Sequence, residues 1–146
     1  MDRLNQWANI AEIEAFFAHL SPHPATQALS NHIATVTEIL TIYLPIDYTA
    51  ADQRILEKNF KKFVSVIEEN APAHTGSALG WAIGEVPIPG TSDKAKAYVT
   101  CLGWQSVEAE SAFRETQWFK DNEYLLSQIK DLRLVQRAHF SGTLVN

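Results

Sequence analysis

The sequence predicts an α+β fold in which one helix precedes strands and helices in the order β-α-β-β-α-β. Its 146 residues are 46% hydrophobic and include only 6 glycines and 6 prolines, which suits one globular domain with its own core. Stripes of apolar residues at helical spacing alternate with strand-like runs. This order is the ferredoxin-like split βαβ arrangement, an antiparallel four-stranded sheet with two helices on one side. The predicted strands cover residues 35–44, 77–85, 95–104 and 132–140.

The N-terminal region is predicted to form a helical extension. Apolar residues between positions 8 and 20 recur at spacings of three and four, which gathers them on one side of a helix. Pro22 and Pro24 end this helix, because proline disfavours the helical conformation of the residue before it. We therefore assign residues 1–33 to an N-terminal helical extension and residues 34–146 to the α+β barrel domain.

The first long helix of the domain has the clearest signal in the chain. Thr49, followed by Asp52 three residues later, is typical of a helix N-cap. The strand before it is rich in β-branched residues and ends at Pro45. The helix then carries a continuous apolar stripe, formed by Ile55, Leu56, Phe60, Phe63, Val64 and Ile67.

The two central strands share an alternation of large and small side chains. Small residues such as Ala78, Gly80 and Cys101 occupy one face, and we expect helices to pack closely there. The large residues then need another cover, either a second copy of the chain or the N-terminal helix. The first alternative predicts a homodimer. The large face holds Leu79, Trp81, Ile83, Tyr98, Leu102 and Trp104.

A second long helix is predicted to begin after Ser106, a residue that commonly caps helices, with an interruption at 121–122 as an alternative. The last strand follows it. Arg137 and His139 stand two positions apart in this strand, so their side chains share one face.

Composition argues against several functions. The net charge of -5 disfavours nucleic-acid binding, which needs clustered lysine and arginine. The lone Cys101 forms no internal disulfide and no thiolate metal site, which fits a reducing compartment. The N-terminus does not resemble a signal peptide and no apolar run approaches ~18 residues, so we expect a cytoplasmic protein that binds no membrane. Motifs of phosphate-binding loops, zinc proteases and serine hydrolases are absent.

The segment Gly103–Thr116, with the sequence GWQSVEAESAFRET, carries a family resemblance. A tryptophan at a strand end, followed by Ser-Val-Glu-Ala and Ala-Phe-Arg-Glu-Thr, resembles the dimeric α+β barrel superfamily, especially fungal proteins related to antibiotic-biosynthesis monooxygenases and stress-response barrel domains. The resemblance implies a homodimer, and the family's reactions range from cofactor-free oxygenation and polyketide cyclisation to haem degradation. A histidine often stands in this family where this chain has Glu110, and a glutamate can substitute for it chemically.

Four side chains are candidates for catalysis. His139 is a candidate general base, and Arg137 beside it is suited to hold an anionic oxygen. Glu38 interrupts an apolar strand face, where burial favours an acid-base role; an edge position or a salt bridge with an arginine is the alternative. Glu85 is in phase with Trp81 and either points into a cavity or lies at the surface.

The large face predicts an aromatic cavity for a flat organic molecule, with a plain packed core as the alternative. We expect a cofactor-independent enzyme of secondary metabolism that uses no metal and acts on a polyketide-like or aromatic substrate by cyclisation, isomerisation or decarboxylation. The alternatives are a cofactor-free oxygenase of phenolic substrates and a non-catalytic ligand-binding or stress-associated dimer. The expected substrate-binding residues are Trp81, Tyr98, Trp104, Tyr43, Leu79 and Ile83.

Overall fold

The computed structural model describes residues 16–25, 27–29 and 35–141. Strands and helices alternate along this part of the chain. The strands are β1 (Val36–Leu44), β2 (His74–Trp81), β3 (Val86–Pro87), β4 (Lys94–Trp104) and β5 (Leu134–Ser141). The helices are α1 (Ala50–Asn70), α2 (Val107–Arg114), α3 (Gln117–Asn122) and α4 (Tyr124–Ser127).

The four long strands form one antiparallel sheet in the order β2-β4-β1-β5, and the short β3 pairs with the start of β4. This order, with helices after β1 and after β4, confirms the predicted α+β fold of ferredoxin-like topology. β1 is a central strand. Its Glu38 lies opposite Leu102 of β4 and His139 of β5, which places these three side chains on one face of the sheet.

Helix α1 begins where the sequence predicts it. The Thr49 side chain accepts a hydrogen bond from the backbone N–H of Asp52 and so caps the helix. The predicted stripe is buried with the exception of Ile55, which is 59% exposed. Because successive residues of a helix are about 100° apart, Ile55 points away from the sheet when Leu56 points towards it.

The predicted second long helix is instead three short ones, α2, α3 and α4. Ser106 caps α2 as expected, and its side chain accepts a hydrogen bond from the N–H of Ala109. The break comes at Thr116, earlier than the alternative that the sequence suggested. The Thr116 hydroxyl donates to the carbonyl of Phe113 and accepts from the N–H of Phe119. One side chain thus satisfies backbone groups of both helices, which makes an interruption favourable here.

Strand β2 begins and ends earlier than the predicted range of 77–85. The chain turns at Gly84, whose φ of 74° suits a glycine. Ile83 and Glu85 lie beyond the end of β2 and are exposed. Neither residue lines the space between sheet and helices, and Glu85 has the surface position that the sequence left open. The roles of Ile83 in substrate binding and of Glu85 in catalysis stay predictions.

The helices cover the large face of the sheet, whereas the prediction placed them on the small face. Trp104 and Leu102 pack with Phe63 and Phe113 of the helices, and Tyr98 packs against α1 farther along the sheet. Large side chains of both layers interlock and fill the space between them, whereas small ones would leave voids. The expectation that the helices pack on the small face was wrong, and the large face needs no second copy of the chain to cover it.

The small face is covered in part by the chain's own N-terminal segment. Residues 17–21 lie antiparallel to the edge of β2, and the N–H of His19 donates to the carbonyl of Trp81 at 3.0 Å. Gly80 permits this close approach, because a Cβ at that position would collide with the carbonyl of His19. The residues packed in this region include Ala25, Ala28, Ala78, Val99 and Cys101.

The last residues of the predicted N-terminal helix are not helical. Residues 16–20 are extended, because the edge of β2 offers backbone partners that a helix cannot use. Residues 8–15 lie outside the described part of the chain, and so does the predicted boundary between residues 33 and 34. Within the described ranges, no helix has the length and apolar character needed to cross a membrane.

Candidate active site

Five ionisable side chains meet between the sheet and the helices. β1 contributes Glu38, α2 contributes Glu110 and Arg114, and β5 contributes Arg137 and His139. We call these five residues the charged cluster. Both carboxylates are 1% exposed, and charges so deeply buried need partners of opposite sign.

Glu38 lies at the centre of the charged cluster. Its Oε1 accepts hydrogen bonds from Arg114 Nη2 at 2.6 Å and from Arg137 Nε at 2.8 Å. Its Oε2 accepts from the indole N–H of Trp104 at 3.3 Å. The sequence left open an edge position or a salt bridge with an arginine for Glu38. The structure shows the salt bridge, with two arginines, and places Glu38 on the central strand β1.

Glu110 binds the same two arginines from the helix side. Arg114, four residues later in α2, donates from Nε to Glu110 Oε1, and Arg137 Nη2 donates to Glu110 Oε2 at 2.5 Å. A spacing of four residues places Glu110 and Arg114 on the same side of the helix. Ion pairs thus join α2 to β1 and β5.

The charged cluster reaches solvent at β5. The side chains of Arg137 and His139 are 37% and 27% exposed, in contrast to the buried carboxylates. His139 Nε2 lies 3.4 Å from Glu110 Oε2 and 3.4 Å from Arg137 Nη2. Because β5 is at the edge of the sheet, its imidazole and guanidinium are accessible, and Arg114 of α2 is also 28% exposed.

Aromatic rings close the inner side of the charged cluster. The ring centroids of Trp104 and Phe113 are 5.9 Å apart, and the Arg114 guanidinium lies 5.2 Å from the centroid of the Phe119 ring, a cation–π contact. The free space enclosed by the cluster and these rings is about 10 Å³, the lower limit for one water molecule. In the described conformation this space is too small for an organic substrate.

The charges of the cluster balance, with two carboxylates against two guanidiniums. Burial alone lowers the pKa of Arg114, but the hydrogen bonds and charges of Glu110 and Glu38 outweigh it and raise that pKa. Glu38, Glu110 and His139 also bring potential metal-ligand atoms within 4.8 Å of one another. The arginines already bind the carboxylate oxygens and repel a further cation, so the cluster favours ion pairing over metal binding.

Comparison with known proteins identifies the fold. No family model and no curated protein matches the sequence. Among solved structures, the Arabidopsis thaliana protein At3g17210 aligns with a TM-score of 0.51 at 16% identity, over 76% of this chain and 98% of that one. The chain has a ferredoxin-like α+β fold.

Two further solved structures align over similar ranges. SnoaB, a cofactor-independent oxygenase from Streptomyces nogalater, aligns with a TM-score of 0.49 at 12% identity, over 77% of this chain and 97% of that one. A dimeric protein of unknown function and ferredoxin-like fold from Bacteroides fragilis aligns with a TM-score of 0.49 at 6% identity, over 74% and 97%. The comparisons thus concern the fold alone, whereas activity has to be argued from the site.

Within this ferredoxin-like fold the predicted site residues lie in several places. His139, Arg137 and Glu38 come together in the charged cluster. Tyr43 lies on the opposite face of the sheet, where its hydroxyl donates to Gln136 Oε1 at 2.8 Å. Tyr43 therefore does not share a face with the other expected substrate-binding residues, because alternate residues of a strand point to opposite faces, and its role in substrate binding stays a prediction.

Leu79, Trp81 and Tyr98 share the large face with Trp104 but lie farther along the strands. The Trp81 indole N–H donates to Glu57 of α1 at 2.6 Å, and the Trp81 and Tyr98 ring centroids are 5.0 Å apart. Burial, followed by the charge of Glu57, raises the pKa of Tyr98, so its phenol stays neutral. These side chains pack beneath α1 in the described conformation, and their role in substrate binding stays a prediction.

The sequence prediction omits Arg114 and reaches Glu110 only through the family resemblance. A signal for both exists, because residues four apart on a helix are neighbours and a carboxylate on an apolar strand face needs a cation. The missing information is that α2 lies over β1, which is a contact between residues far apart in the chain.

Proposed function

We propose that this protein is a cofactor-independent enzyme that transfers a proton on an aromatic or polyketide-like small molecule of secondary metabolism. The observation that carries the proposal is the partial exposure of His139 and Arg137 beside the two buried carboxylates of the charged cluster. An imidazole beside a guanidinium supplies a base and an anion-binding group side by side.

His139 is the proposed general base. A neutral imidazole keeps the lone pair of one ring nitrogen, and this lone pair accepts the proton from the substrate. Glu110 Oε2 lies 3.4 Å from His139 Nε2, where its negative charge stabilises the imidazolium that forms. Glu110 is thus a positioning residue, in place of the histidine that the family resemblance suggests.

Arg137 is the proposed anion-binding group. It uses Nε and Nη2 for the two carboxylates, which leaves Nη1 without a partner among the described residues. An enolate or phenolate oxygen suits this group, since charge-assisted hydrogen bonds to guanidinium are strong. When the substrate gives its proton to His139, one new anion lies beside one new cation. Cyclisation, isomerisation and decarboxylation differ in what the anion does next, and a cofactor-free oxygenase exposes the same phenolate to dioxygen.

The test measures proton transfer directly. The probe is 2-tetralone, a bicyclic ketone with acidic C–H bonds beside its carbonyl, and NMR follows the exchange of these hydrogens in heavy water. We expect the wild-type protein to accelerate exchange over buffer. The His139→Ala variant should lower the protein-catalysed rate by about 100-fold, the scale of losing a general base.

Glu115→Ala provides the matched control, because Glu115 is an exposed carboxylate at the end of α2. This variant should exchange the probe at the wild-type rate. Circular dichroism checks that each variant is folded. The proposal is wrong if the wild-type protein gives no acceleration or if His139→Ala retains the full rate.

A non-catalytic ligand-binding or stress-associated protein is the second candidate. The observations that favour it are the free space of about 10 Å³ at the cluster and the mutual pairing of its four permanent charges. A fully paired network of this kind can serve only to fix the packing of α2 on the sheet. This candidate predicts that the protein does not accelerate the exchange of 2-tetralone over buffer. It also predicts that variants of the charged cluster lose stability and show no other effect.

We also propose that two copies of the chain associate through β5. Val135 and Phe140, on opposite faces of this strand, are 44% and 55% exposed. Among the described residues, β5 has no strand on its outer side. An unpaired edge with apolar side chains favours pairing with another chain.

Light scattering of the full chain at micromolar concentration tests the homodimer. We expect twice the mass of one chain for the wild type and a single-chain mass for Phe140→Glu, which places a charge at the proposed contact. A wild-type mass of one chain contradicts the homodimer and leaves the proton-transfer proposal to its own test.

A further inference from the structure

The solvent face of helix α1 carries a concentration of positive charge. Its exposed cationic residues are Arg54, Lys58, Lys61 and Lys62. Because successive residues of a helix are about 100° apart, these positions project into one sector opposite the buried stripe. We call this surface the basic face. The whole chain has 12 lysines and arginines against 17 aspartates and glutamates, so a third of its basic residues lies on one side of one helix.

The basic face lacks the ion pairs that basic residues form elsewhere in the protein. None of its four cations pairs with a carboxylate of the described residues. Glu57, four residues before Lys61, instead accepts a hydrogen bond from the indole N–H of Trp81 at 2.6 Å. The other described lysines and arginines pair with a carboxylate or donate to a carbonyl, with the exception of Lys94. Uncompensated positive charge is therefore concentrated on this face.

The spacing of the basic face does not favour the helix itself. Arg54 and Lys58 are four residues apart, and so are Lys58 and Lys62. Residues at this spacing are neighbours on the helix surface, where like charges repel and an acidic residue before a lysine attracts it. The stability of α1 therefore does not account for this arrangement, whereas a negatively charged partner does.

Apolar side chains border the basic face. Ile55, next to Arg54 in the chain, is 59% exposed, and Tyr124 of α4 is 40% exposed. The Lys62 ammonium lies 3.2 Å from the Tyr124 hydroxyl and 5.8 Å from the centroid of its ring, so the two elements form one continuous surface. Protein interfaces commonly combine aromatic and aliphatic anchors with a charged rim. The face thus offers apolar contact together with charge.

The end of α1 indicates which class of partner fits. Glu68 and Glu69 are exposed in the last turn, about 9 Å along the helix axis from Lys62. This separation is within the range over which charges act in physiological salt. A nucleic acid or an anionic bilayer presents uniform negative charge, which these two glutamates repel. A protein can place carboxylates opposite the cations alone, so charge complementarity favours a protein partner.

We propose that the basic face docks a partner protein through an acidic segment that carries apolar residues beside its carboxylates. The cations span about 12 Å along α1, so roughly two turns of an acidic helix cover them. This interaction goes beyond the proposed proton transfer and does not depend on it. The basic face points to solvent, whereas His139 lies on the sheet side of the helices.

The experiment measures the binding of a model acidic segment to the full chain by fluorescence anisotropy. The probe is a fluorescein-labelled peptide of glutamate, leucine and alanine, with about 20 residues so that it can form a helix. We expect the wild-type protein to bind it, and added salt to weaken the binding through screening. A matched peptide with glutamine in place of every glutamate should bind at least about tenfold more weakly.

The double variant Lys58→Gln/Lys62→Gln locates the binding. It removes two charges from exposed positions, and we expect it to weaken binding of the acidic peptide at least about tenfold. Lys94→Gln/Arg133→Gln is the matched control, because it removes the same charge from exposed positions outside α1. This control should stay within about twofold of the wild type. His139→Ala should also bind the peptide normally.

Several results would each overturn the proposal. They are no binding of the acidic peptide by the wild type at low salt, equal binding of the glutamine peptide, and an equal loss of affinity in the two double variants. Vesicles containing phosphatidylserine and a thymidine oligonucleotide provide the remaining comparison. If either one binds the basic face more tightly than the peptide does, the assignment to a protein partner is wrong.

Circular dichroism checks the fold of each variant. If Lys58→Gln/Lys62→Gln does not fold, Arg54→Gln/Lys61→Gln removes the same charge from the basic face and provides the second test. An unchanged affinity in that variant would equally contradict the proposal.

Discussion

The space between the sheet and the helices has two ends of opposite chemistry. One end, at Trp104, holds Glu38 and Glu110 with their arginines, and the other holds an apolar cluster that includes Phe60 and Tyr98. The first half of α1 covers the apolar end, with Leu56 and Phe60, whereas the second half of α1 and the 8-residue α2 together cover the charged end. Buried charges thus occur where α2 adds its own side chains, Glu110 and Arg114, to the space between α1 and the sheet.

The largest effect expected from this comparison is at the apolar end. Phe60→Ala removes a ring that meets Tyr98 edge-to-face at 5.3 Å between centroids and is almost fully buried. We expect the free energy of unfolding to fall by about 4 kcal/mol, because apolar contact is lost and a cavity remains. Urea denaturation measures this change. Ile55→Ala, on the exposed side of the same helix, should lose less than about 1 kcal/mol; equal losses would contradict the described packing of α1.

Glu38→Ala tests the charged end. It leaves Arg114 and Arg137 without their shared partner, and removing one member of a buried pair usually destabilises by about 3–5 kcal/mol. Because both arginines are partly exposed, we expect a loss of about 3 kcal/mol in urea denaturation. Glu115→Ala, at a surface carboxylate, should stay within about 0.5 kcal/mol of the wild type. An unchanged stability in Glu38→Ala would show that the cluster does not hold the layers together.

A smaller, pH-dependent effect is expected at His74, which begins β2 at the charged end. Its ring centroid lies 5.4 Å from that of Trp104, and burial lowers its pKa from 6.5 to about 4. Between these two pKa values the unfolded chain binds a proton that the folded protein does not. The part of the unfolding free energy that depends on neutral His74 is therefore fully present above pH 6.5 and decreases as the pH falls towards 4.

Replacing His74 should remove part of the acid sensitivity. We expect the decrease in unfolding free energy over this pH range to be about 2 kcal/mol smaller in His74→Gln than in the wild type. Urea denaturation at a series of pH values measures it, with the exposed His23→Gln as control. Identical pH profiles for His74→Gln and the wild type would show that folding does not lower the pKa of His74.

The order of elements was predictable because its signals are local. The Thr49 and Ser106 caps and the alternation of residues in β4 are each written within a few positions of the chain. The face that receives the helices was not predictable in this way. Alternation shows that Trp104 and Cys101 lie on opposite faces, but helix packing decides which face is inside.

The charged cluster was predictable only in part for the same reason. Arg137 and His139 share a strand face by local geometry, and Glu38 shares it only through the register of β1 with β5. The contribution of α2 depends on tertiary packing. Residues 17–21 show a further limit, because a segment with helical periodicity adopts extended structure when a strand edge offers it hydrogen bonds.

The pairing of residues 17–21 with β2 has a consequence for assembly. A sheet with two open edges can add copies on both sides without end, in the manner of a fibre. In this protein, residues 17–21 pair with the edge strand β2, and among the described residues β5 is the strand whose outer side is left unpaired. Two such sheets that join along β5 about a twofold axis use up both open edges, so growth by edge pairing stops at two copies. In the proposed dimer, Gly80 thereby favours an assembly of two copies, because it admits a carbonyl of its own chain at the other edge.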